Sequence, residues 1–518
     1  MQKSKIALAI ASVTLASGMA HATNGMNMEG YGPISTAMGG TAQAYNNGLG
    51  GMMNNPATMG HGSIEGNKFQ LALGSLNPTI TSSHDQSGAA TDSTGGPYIM
   101  PGAGYAQKRN GFVWGVGVMG QGGMGTEYGK AGATDLFAGG LSSGGYDSSS
   151  GPLADGSTPN NPKAQTLLSG KEVRSEVSVG RVVIPVGYEV TDKLNIAASL
   201  DYVWAGMDML MDMDGASFSK LMQGQGGSVG GTMAQGLGTA TQPSSSANNG
   251  MVAIRDVNYA RFEFSDNSDF TGQAKGSGFA GKVGFTYDVS PQLTIGGSFH
   301  NKTAISDLEG DASLVMNVDA DGGLLQQSNP TGYTDMTMTV TGKIKVVDFQ
   351  WPTTFGIGAS YRATDTLTIN ADFKRISWSD SMKSLKMAFV ADGSATNGNF
   401  ANTALNVSMD QNWDDQNVIM VGAQWKAQKN LALRVGANMS NNPVPKETLN
   451  PLFPAIIENH YTAGVGYGIS QNHVVDASIV MAPEVKQTSA AGVTSSHSQM
   501  NWQMMYTYKW NVQRKSGF

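Results

Sequence analysis

The chain contains no cysteine in its 518 residues, which excludes disulfide bonds and thiolate metal sites. Charged residues amount to 14%, well below the roughly 25% of a typical soluble domain. Beyond the N-terminus, no apolar run reaches the length of about 18 residues that a transmembrane helix needs. Basic residues form no cluster and the formal net charge is −7, so a nucleic-acid partner is not expected.

Patterns that would indicate catalysis are also missing. The seven histidines lack the spacing of metal ligands, and no G-x-S-x-G sequence lies where a strand would turn into a helix. We therefore predict that the protein is not an enzyme and that it holds neither a metal nor a cofactor.

The first 22 residues have the features of a secretory signal peptide. Lys3 and Lys5 supply positive charge, and residues 6–15 form an apolar stretch that is too short to span a bilayer. A small-x-small motif ends at Ala22, so cleavage is predicted between Ala22 and Thr23. The mature chain is then expected beyond the inner membrane of a bacterium.

The N-terminal segment (residues 23–62) is rich in glycine, asparagine, methionine and alanine, and carries one charged residue, Glu29. It has too few large apolar side chains to offset the entropy of ordering. We predict that it folds only against the rest of the chain. A flexible tail is the alternative that its composition leaves open.

From residue 64 onward, apolar residues alternate with small or polar ones. The sequences TFGIGASY at 354–361 and YTAGVGYGI at 461–469 show the pattern clearly. Such alternation is typical of strands with one apolar face. A soluble β-sandwich would show it too, so the alternation alone does not identify the fold.

The lengths of the connections separate the two folds. Very short turns alternate with long polar stretches, as in bacterial outer-membrane barrels. The long stretches lie at about 77–97, 122–172, 209–274, 307–343, 381–412, 442–456 and 487–497. The predicted strands are 64–76, 98–108, 111–121, 173–190, 193–208, 275–289, 292–306, 344–362, 366–380, 413–427, 430–441, 457–470, 472–486 and 498–512.

The predicted fold is therefore all-β: a 14-stranded antiparallel transmembrane β-barrel over residues 63–518, with its long loops outside the cell. A closed barrel satisfies every backbone donor and acceptor within lipid. Because the diameter grows with strand number, fourteen strands enclose a lumen too wide for wall side chains alone to fill. The N-terminal segment is the expected hatch, or plug, inside it.

Four stretches together resemble the FadL/TodX family of outer-membrane transporters for long-chain fatty acids and hydrophobic compounds. They are Asn55-Pro56-Ala57 just before the first strand, residues 117–128 (GVMGQGGMGTEY), residues 351–361 (WPTTFGIGASY), and NPVP at 442–445 with PLFP at 451–454. Their order and spacing over the mature chain carry the resemblance.

The resemblance implies a hatch inside the barrel, an apolar groove among the long loops and a hydrophobic pocket in the lumen. It also implies a lateral exit where strand three is kinked, next to Asn55, Pro56 and Ala57. The partners it implies are fatty acids, alkanes or aromatics, together with outer-membrane lipids and the barrel-assembly machinery.

Two groups of residues are expected to build this exit. Glycine within a strand marks bulges and bends, and the predicted kink holds Gly120, Gly122, Gly123 and Gly125. Asn55 could bond backbone groups that the kink leaves unpaired, while Pro56 keeps the hatch rigid. The alternative is that the glycines begin a loop and Asn-Pro-Ala is an ordinary turn.

Methionine is unbranched and polarizable, so it can line pockets for varied apolar ligands. The ligand-pocket candidates in the N-terminal segment are Met26, Met28, Met38, Met52, Met53 and Met59. Packing without ligand contact is the alternative. Residues 207–213 alternate methionine with other residues and fit a strand end or a loop equally well.

The positions of the lysines and arginines bear on whether the cargo is charged or neutral. Residues 194–216 contain no lysine or arginine that could hold a carboxylate, which favours a neutral cargo over a fatty acid. The cations expected to face the lumen are Lys282, Lys302, Arg362, Lys374 and Arg434. A porin for small polar solutes is the main alternative function, and an adhesin displayed by the loops is another.

Overall fold

The computed structural model describes residues 24–62, 64–84, 90–129, 168–215, 218, 221, 223–224, 226–239, 254–268, 271–321 and 333–514. The predicted signal peptide and its cleavage site at Ala22 and Thr23 lie outside the described residues.

The described part of the chain is built almost entirely from β-strands. The strands are β1 Ile64–Leu76, β2 Pro78–His84, β3 Ala90–Asp92, β4 Tyr98–Arg109, β5 Phe112–Glu127, β6 Arg174–Glu189, β7 Leu194–Asp214, β8 Gly227–Gly230, β9 Ile254–Phe264, β10 Ala274–Asp288, β11 Leu293–His300, β12 Ala304–Ile305, β13 Leu308–Asp321, β14 Tyr333–Val347, β15 Thr354–Arg362, β16 Leu367–Ile376, β17 Ser384–Ala391, β18 Ala404–Asp410, β19 Gln416–Gln428, β20 Leu431–Ser440, β21 Asn459–Gly468, β22 His473–Thr488 and β23 Val493–Arg514.

The helices are short. They are the α-helices α1 Pro33–Thr36, α2 Leu49–Met53, α3 Thr232–Thr239 and α4 Trp378–Ser381, and the 3-10 helices Pro56–Met59 and Ala395–Phe400. Among the described residues, no helix combines the length and the apolarity that a membrane crossing requires.

Within the described residues, antiparallel pairing closes a ring of fourteen strands. The order around the ring is β1, β4, β5, β6, β7, β10, β11, β15, β16, β19, β20, β21, β22 and β23, and β23 pairs again with β1. Ile64 pairs with Arg514, so the first residue of β1 and the last residue of β23 lie at the same rim of the barrel. The closed, antiparallel, all-β barrel expected from the sequence is confirmed.

The long stretches predicted as loops are not free of regular structure, and this part of the prediction was wrong. They contain β2, β3, β8, β9, β13, β17 and β18, and much of β14. A sheet continues from β7 through β9, β13, β14, β17 and β18 to β8 at the long-loop end. The predicted strand 344–362 is two strands, because β14 belongs to this sheet and β15 to the ring.

Side chains of the ring alternate between two different environments. On β7, Leu200 is 58% exposed whereas its neighbour Asp201 is 0% exposed. The exposed set is apolar along the other ring strands as well, with Ile357, Val435 and Met504 as examples. An apolar outer face around a partly polar interior is the pattern of a barrel in a membrane.

The N-terminal segment is hydrogen-bonded to strands from several sides of the ring. Its partners on the wall are Gln121 in β5, Phe285 in β10, Asp372 in β16, Asn438 in β20 and Thr462 in β21. Most of its residues are buried. Because the segment contacts strands that are far apart around the ring, these contacts tie it to the inner face of the wall.

Candidate functional site

Strand β5 separates from β4 halfway along its length. The two strands pair from Arg109 opposite Phe112 to Gly102 opposite Met119. Within the described residues, β5 beyond Met119 keeps only β6 as a neighbouring strand, and residues 98–101 of β4 pair only with β1. The space between residues 98–101 and 120–126, called the window below, is a break in the hydrogen bonding of the wall.

The window coincides with a β-bulge in β5. The register between β5 and β6 shifts between Gly120 and Gly122, so Gln121 is the extra residue. A bulge bends its strand and increases the local twist. The structure thus places a bend at the predicted kink of strand three, and all four predicted glycines, 120, 122, 123 and 125, lie in this part of β5.

Glycine is needed here because another backbone approaches the strand closely. A Cβ atom at Gly122 would lie 2.1 Å from the carbonyl oxygen of Met26 and 2.9 Å from the Trp351 ring. A Cβ at Gly125 would lie 2.5 Å from the carbonyl oxygen of Ser175. Any larger residue at position 122 would therefore displace the N-terminal segment from β5.

Residues 26 and 27 of the N-terminal segment take the place that β4 leaves. Asn27 forms an antiparallel bridge with Gly122, and the Gly123 N–H donates to the Met26 carbonyl oxygen at 3.0 Å. The Tyr31 hydroxyl lies 2.8 Å from both the Asn27 Oδ1 atom and the Gln121 carbonyl oxygen. Burial raises the pKa of this hydroxyl above its usual value, so it remains a proton donor.

Asn55 lies elsewhere, and its predicted contact with the kink is wrong. Its Nδ2 atom donates to the carbonyl oxygens of Gln43, at 2.7 Å, and Phe285, at 2.9 Å. The Asn55 Oδ1 atom accepts from the Ala57 N–H at 3.1 Å. Pro56 begins the 3-10 helix that follows. Asn-Pro-Ala therefore fixes the N-terminal segment to β10, where Gly284 leaves room for the amide.

The candidate methionines fall into different surroundings. Met28, Met52 and Met53 belong to a buried apolar cluster beside the window, and Met59 packs at its edge. Met26 joins a larger apolar cluster at the long-loop end. Met38 instead lies against the wall, close to Gly422 and Gly436. The first set could contact a ligand, whereas Met38 serves to seat the segment.

The cluster beside the window, called the window cluster, joins the N-terminal segment to the wall. Its wall members are Leu76, Tyr98, Met100, Met119, Val183 and Met505, and its other members in the segment are Tyr31 and Leu49. Tyr98 and Met100 form one edge of the window. Material that passes through the window would therefore move along an apolar surface.

The larger cluster, called the upper cluster, fills the long-loop end of the ring. Its members include Met124, Met207, Met209, Met211, Met213, Phe262, Phe264 and Leu314. The methionines at 207–213 thus belong to a buried strand end. Met26 lies in the upper cluster and Met28 in the window cluster. The boundary between the two apolar regions therefore falls at this point of the N-terminal segment.

Three buried tryptophans form one side of the upper cluster. The ring centroids of Trp351 and Trp378 are 5.5 Å apart at 72°, and those of Trp378 and Trp413 are 5.5 Å apart at 67°. Edge-to-face rings are a favourable arrangement of aromatic side chains. The Trp351 Nε1–H donates to Asn27 Oδ1 at 3.3 Å, which links this wall to the window. The sequence analysis did not single out this group, since its members lie far apart along the chain.

The buried cations of the ring face acidic side chains. The Asp201 Oδ2 atom lies 2.9 Å from Arg181 Nη1 and 2.9 Å from Lys282 Nζ. Arg434 Nη1 lies 2.8 Å from Asp476 Oδ1. Lys374 lies within electrostatic range of Glu29 and Asp372. Of the five cations expected in the lumen, Lys282, Lys374 and Arg434 are buried, whereas Lys302 and Arg362 are exposed.

Glycines of the wall allow residues 37–43 of the N-terminal segment to pack closely against it. The sequence analysis did not predict this contact. A Cβ at Gly436 would lie 2.2 Å from the Gly39 nitrogen, and one at Gly464 would lie 2.5 Å from the Ala37 Cβ. The Asp372 Oδ2 atom accepts the N–H groups of Ala42, at 2.6 Å, and Gln43, at 2.9 Å. The sequence signal for this contact was the run of small residues that alternates with the apolar positions of these strands.

A closed barrel with an apolar outer face, a buried N-terminal segment bonded to its strands and a break in the hydrogen bonding of its wall defines a membrane β-barrel. Residues 169–513 match the model of the family described as outer membrane protein transport protein (OMPP1/FadL/TodX). The chain belongs to this family. It is therefore a protein of the outer membrane, and its family consists of transport proteins, not enzymes.

Solved structures share the fold. The toluene transporter TodX of Pseudomonas putida is 24% identical with a TM-score of 0.72, and the match covers 93% of this chain and 99% of TodX. The toluene transporter TbuX of Ralstonia pickettii is 28% identical with a TM-score of 0.65, over 93% of this chain and 98% of TbuX. A FadL homologue of Pseudomonas aeruginosa is 14% identical with a TM-score of 0.60, over 94% of this chain and 100% of the homologue.

A curated protein of Chlorobium limicola, described as an uncharacterized protein in the phosphoenolpyruvate carboxykinase gene 5′ region, is 48% identical over 62 residues. The match covers 12% of this chain and 30% of that protein.

Proposed function

We propose that this protein takes up small hydrophobic compounds passively across the outer membrane, and that its N-terminal segment is the hatch. The observation that carries the proposal is the window, where Met26 and Asn27 replace the missing strand contact of β5. The hatch separates two buried apolar clusters at this point. In this role it closes the lumen to polar solutes and yields to an apolar cargo.

The route follows the apolar surfaces. Cargo enters among the long loops, rests in the upper cluster, passes the hatch near Met26 and reaches the bilayer through the window. Each methylene group removed from water gains about 0.8 kcal/mol, so the cargo gains by staying in protein or lipid. A straight channel would release it into water, whereas a lateral exit does not.

The cargo is a neutral hydrocarbon or aromatic compound, as the names of TodX and TbuX indicate for those proteins. A carboxylate taken into the lumen would need a cation, but Arg181 and Lys282 already face Asp201, and Arg434 faces Asp476. Taking a charge out of water without a partner is costly. A fatty acid that bound at Arg434 would therefore have to displace the pair with Asp476.

Transport assays with the purified protein in lipid vesicles test this proposal. Radiolabelled toluene and oleate are supplied separately, and accumulation in the vesicle membrane is compared with protein-free vesicles. We expect faster accumulation of toluene and no effect on oleate, with negligible ion conductance in planar bilayers. Oleate transport would contradict the neutral cargo, and steady conductance without toluene transport would favour a porin.

A further inference from the structure

A groove of about 740 Å³ runs across the wall at β5, β6, β7, β10, β11 and β15. It is separate from the window, which lies between β4 and the far half of β5. Its apolar rim includes Phe112, Tyr188, Ile196, Phe285, Phe299 and Phe355. Neither the transport route nor the family relationship assigns a ligand to it.

The groove opens on the outer face of the barrel. Val283, one of its lining residues, is 54% exposed, while the preceding residue, Lys282, points inward and is buried. The exposed Ala198 and the buried Gly297 provide a floor of small residues between larger rim side chains. Because this face meets the bilayer, lipid is the solvent that fills the groove.

Two cations lie at the short-turn end of the groove. Arg109 is the last residue of β4 and pairs with Phe112, and Lys193 ends the turn before β7, three residues ahead of Ile196. Both are exposed. Basic side chains at the membrane surface attract lipid phosphates, so an anionic head group is complementary to this end. The short turns face the periplasm when the long loops face outside.

We propose that the groove binds an acyl chain of a phospholipid from the periplasmic leaflet, with Arg109 and Lys193 next to its phosphate. Lipid tails are as apolar as the rim residues, so packing and the phosphate contacts provide the preference for this site. Behind the groove, the Phe285 carbonyl oxygen accepts from Asn55. The lipid therefore braces the wall where the N-terminal segment is attached.

Photo-crosslinking tests the site. The full chain is placed in vesicles of phosphatidylethanolamine and phosphatidylglycerol that carry a phosphatidylglycerol probe with a diazirine on one acyl chain. Labelled residues are mapped by mass spectrometry. Labelling in the groove should saturate with probe concentration, while labelling elsewhere on the outer face should rise linearly. Linear labelling everywhere would overturn the proposal.

Two sets of variants locate the acyl chain and the phosphate. Ala198→Phe fills the floor and should reduce labelling in the groove by about tenfold, the equivalent of 1.4 kcal/mol. Ala371→Phe, at an exposed alanine of β16 outside the groove, should leave it unchanged. Arg109→Gln with Lys193→Gln should weaken labelling by the phosphatidylglycerol probe but not by a diacylglycerol probe with the same diazirine chain.

The outcomes also distinguish other occupants. Displacement of the label by toluene would assign the groove to cargo, and crosslinks between two copies of the chain would assign it to an oligomer contact; either overturns the proposal. Toluene uptake, measured in the same vesicles, reports on the transport route independently. If the unaltered protein took up no toluene but the groove still showed saturable labelling, only the transport proposal would be contradicted.

Discussion

The Gly123 N–H donates to the Met26 carbonyl oxygen at 3.0 Å, although 97 positions (123 − 26) separate the two residues in the sequence. This hydrogen bond joins the N-terminal segment to β5 beyond the point where β4 has left it. Backbone donors within a membrane must find partners. The segment supplies one where the wall does not, so its position and the continuity of the wall depend on each other.

Substitution of Gly122 by alanine should loosen this contact. The added Cβ would lie 2.1 Å from the Met26 carbonyl oxygen, and overpacking of this kind costs about 1–3 kcal/mol. Because the chain has no cysteine, Asn27→Cys provides a unique thiol that reports on the contact. Its reaction with a maleimide should accelerate by roughly tenfold in the Gly122→Ala background.

Gly230→Ala is the matched control, since a Cβ there would meet nothing within 4 Å. The Asn27→Cys thiol should react at its original rate in this background. Equal rates in the Gly122→Ala and Gly230→Ala backgrounds would show that the segment does not rest on Gly122.

Asp201→Asn should destabilise the barrel by about 3 kcal/mol, since it leaves buried cations without their counter-charge. Asp201 is the shared partner of Arg181 and Lys282. Asp311→Asn is the comparison, because the Asp311 side chain in its pair with Lys343 is 72% exposed, and exposed pairs contribute about 0–1 kcal/mol. Urea unfolding of the refolded barrels in detergent measures the stability of both variants. Equal unfolding midpoints for Asp201→Asn and Asp311→Asn would contradict the prediction.

Asp372→Ala should weaken the seat of the N-terminal segment. The carboxylate accepts two backbone N–H groups from residues 42 and 43, and hydrogen bonds to charged groups contribute about 1.5–3 kcal/mol each. We expect ion-conducting openings in planar bilayers, whereas the unaltered protein should show none. Asp365→Ala, in an exposed turn, should remain silent. An equally silent Asp372→Ala would show that the segment is held by other contacts.

The ring of the barrel could be predicted because each of its strands leaves two local signals. Alternating side chains, as at 354–361, report the two faces, and short turns report which strands are neighbours. The sheet beyond the ring lacks the first signal. Strand β13, for instance, contains Glu309, Asp311 and Asn317, and such residues resemble a loop when no membrane face imposes alternation.

The candidate site was only partly predictable. The glycines of β5 mark the bend because a bulge is a local property of one strand. The place of Asn55 depends on how the N-terminal segment crosses the lumen, which no local pattern determines. The contacts with the wall glycines and the group of three tryptophans likewise arise from residues on separate strands that only the closed ring brings together.

Deletion of Gln121 tests lateral exit most directly. Gln121 is the extra residue of the bulge, so its removal lets β5 pair with β6 without a register shift and extends the contact with β4 across the window. Gln121→Ala keeps the bulge and removes only the side chain. Toluene accumulation in vesicles should be lost in the folded deletion variant and retained in Gln121→Ala. Undiminished accumulation in the folded deletion variant would contradict exit through the wall.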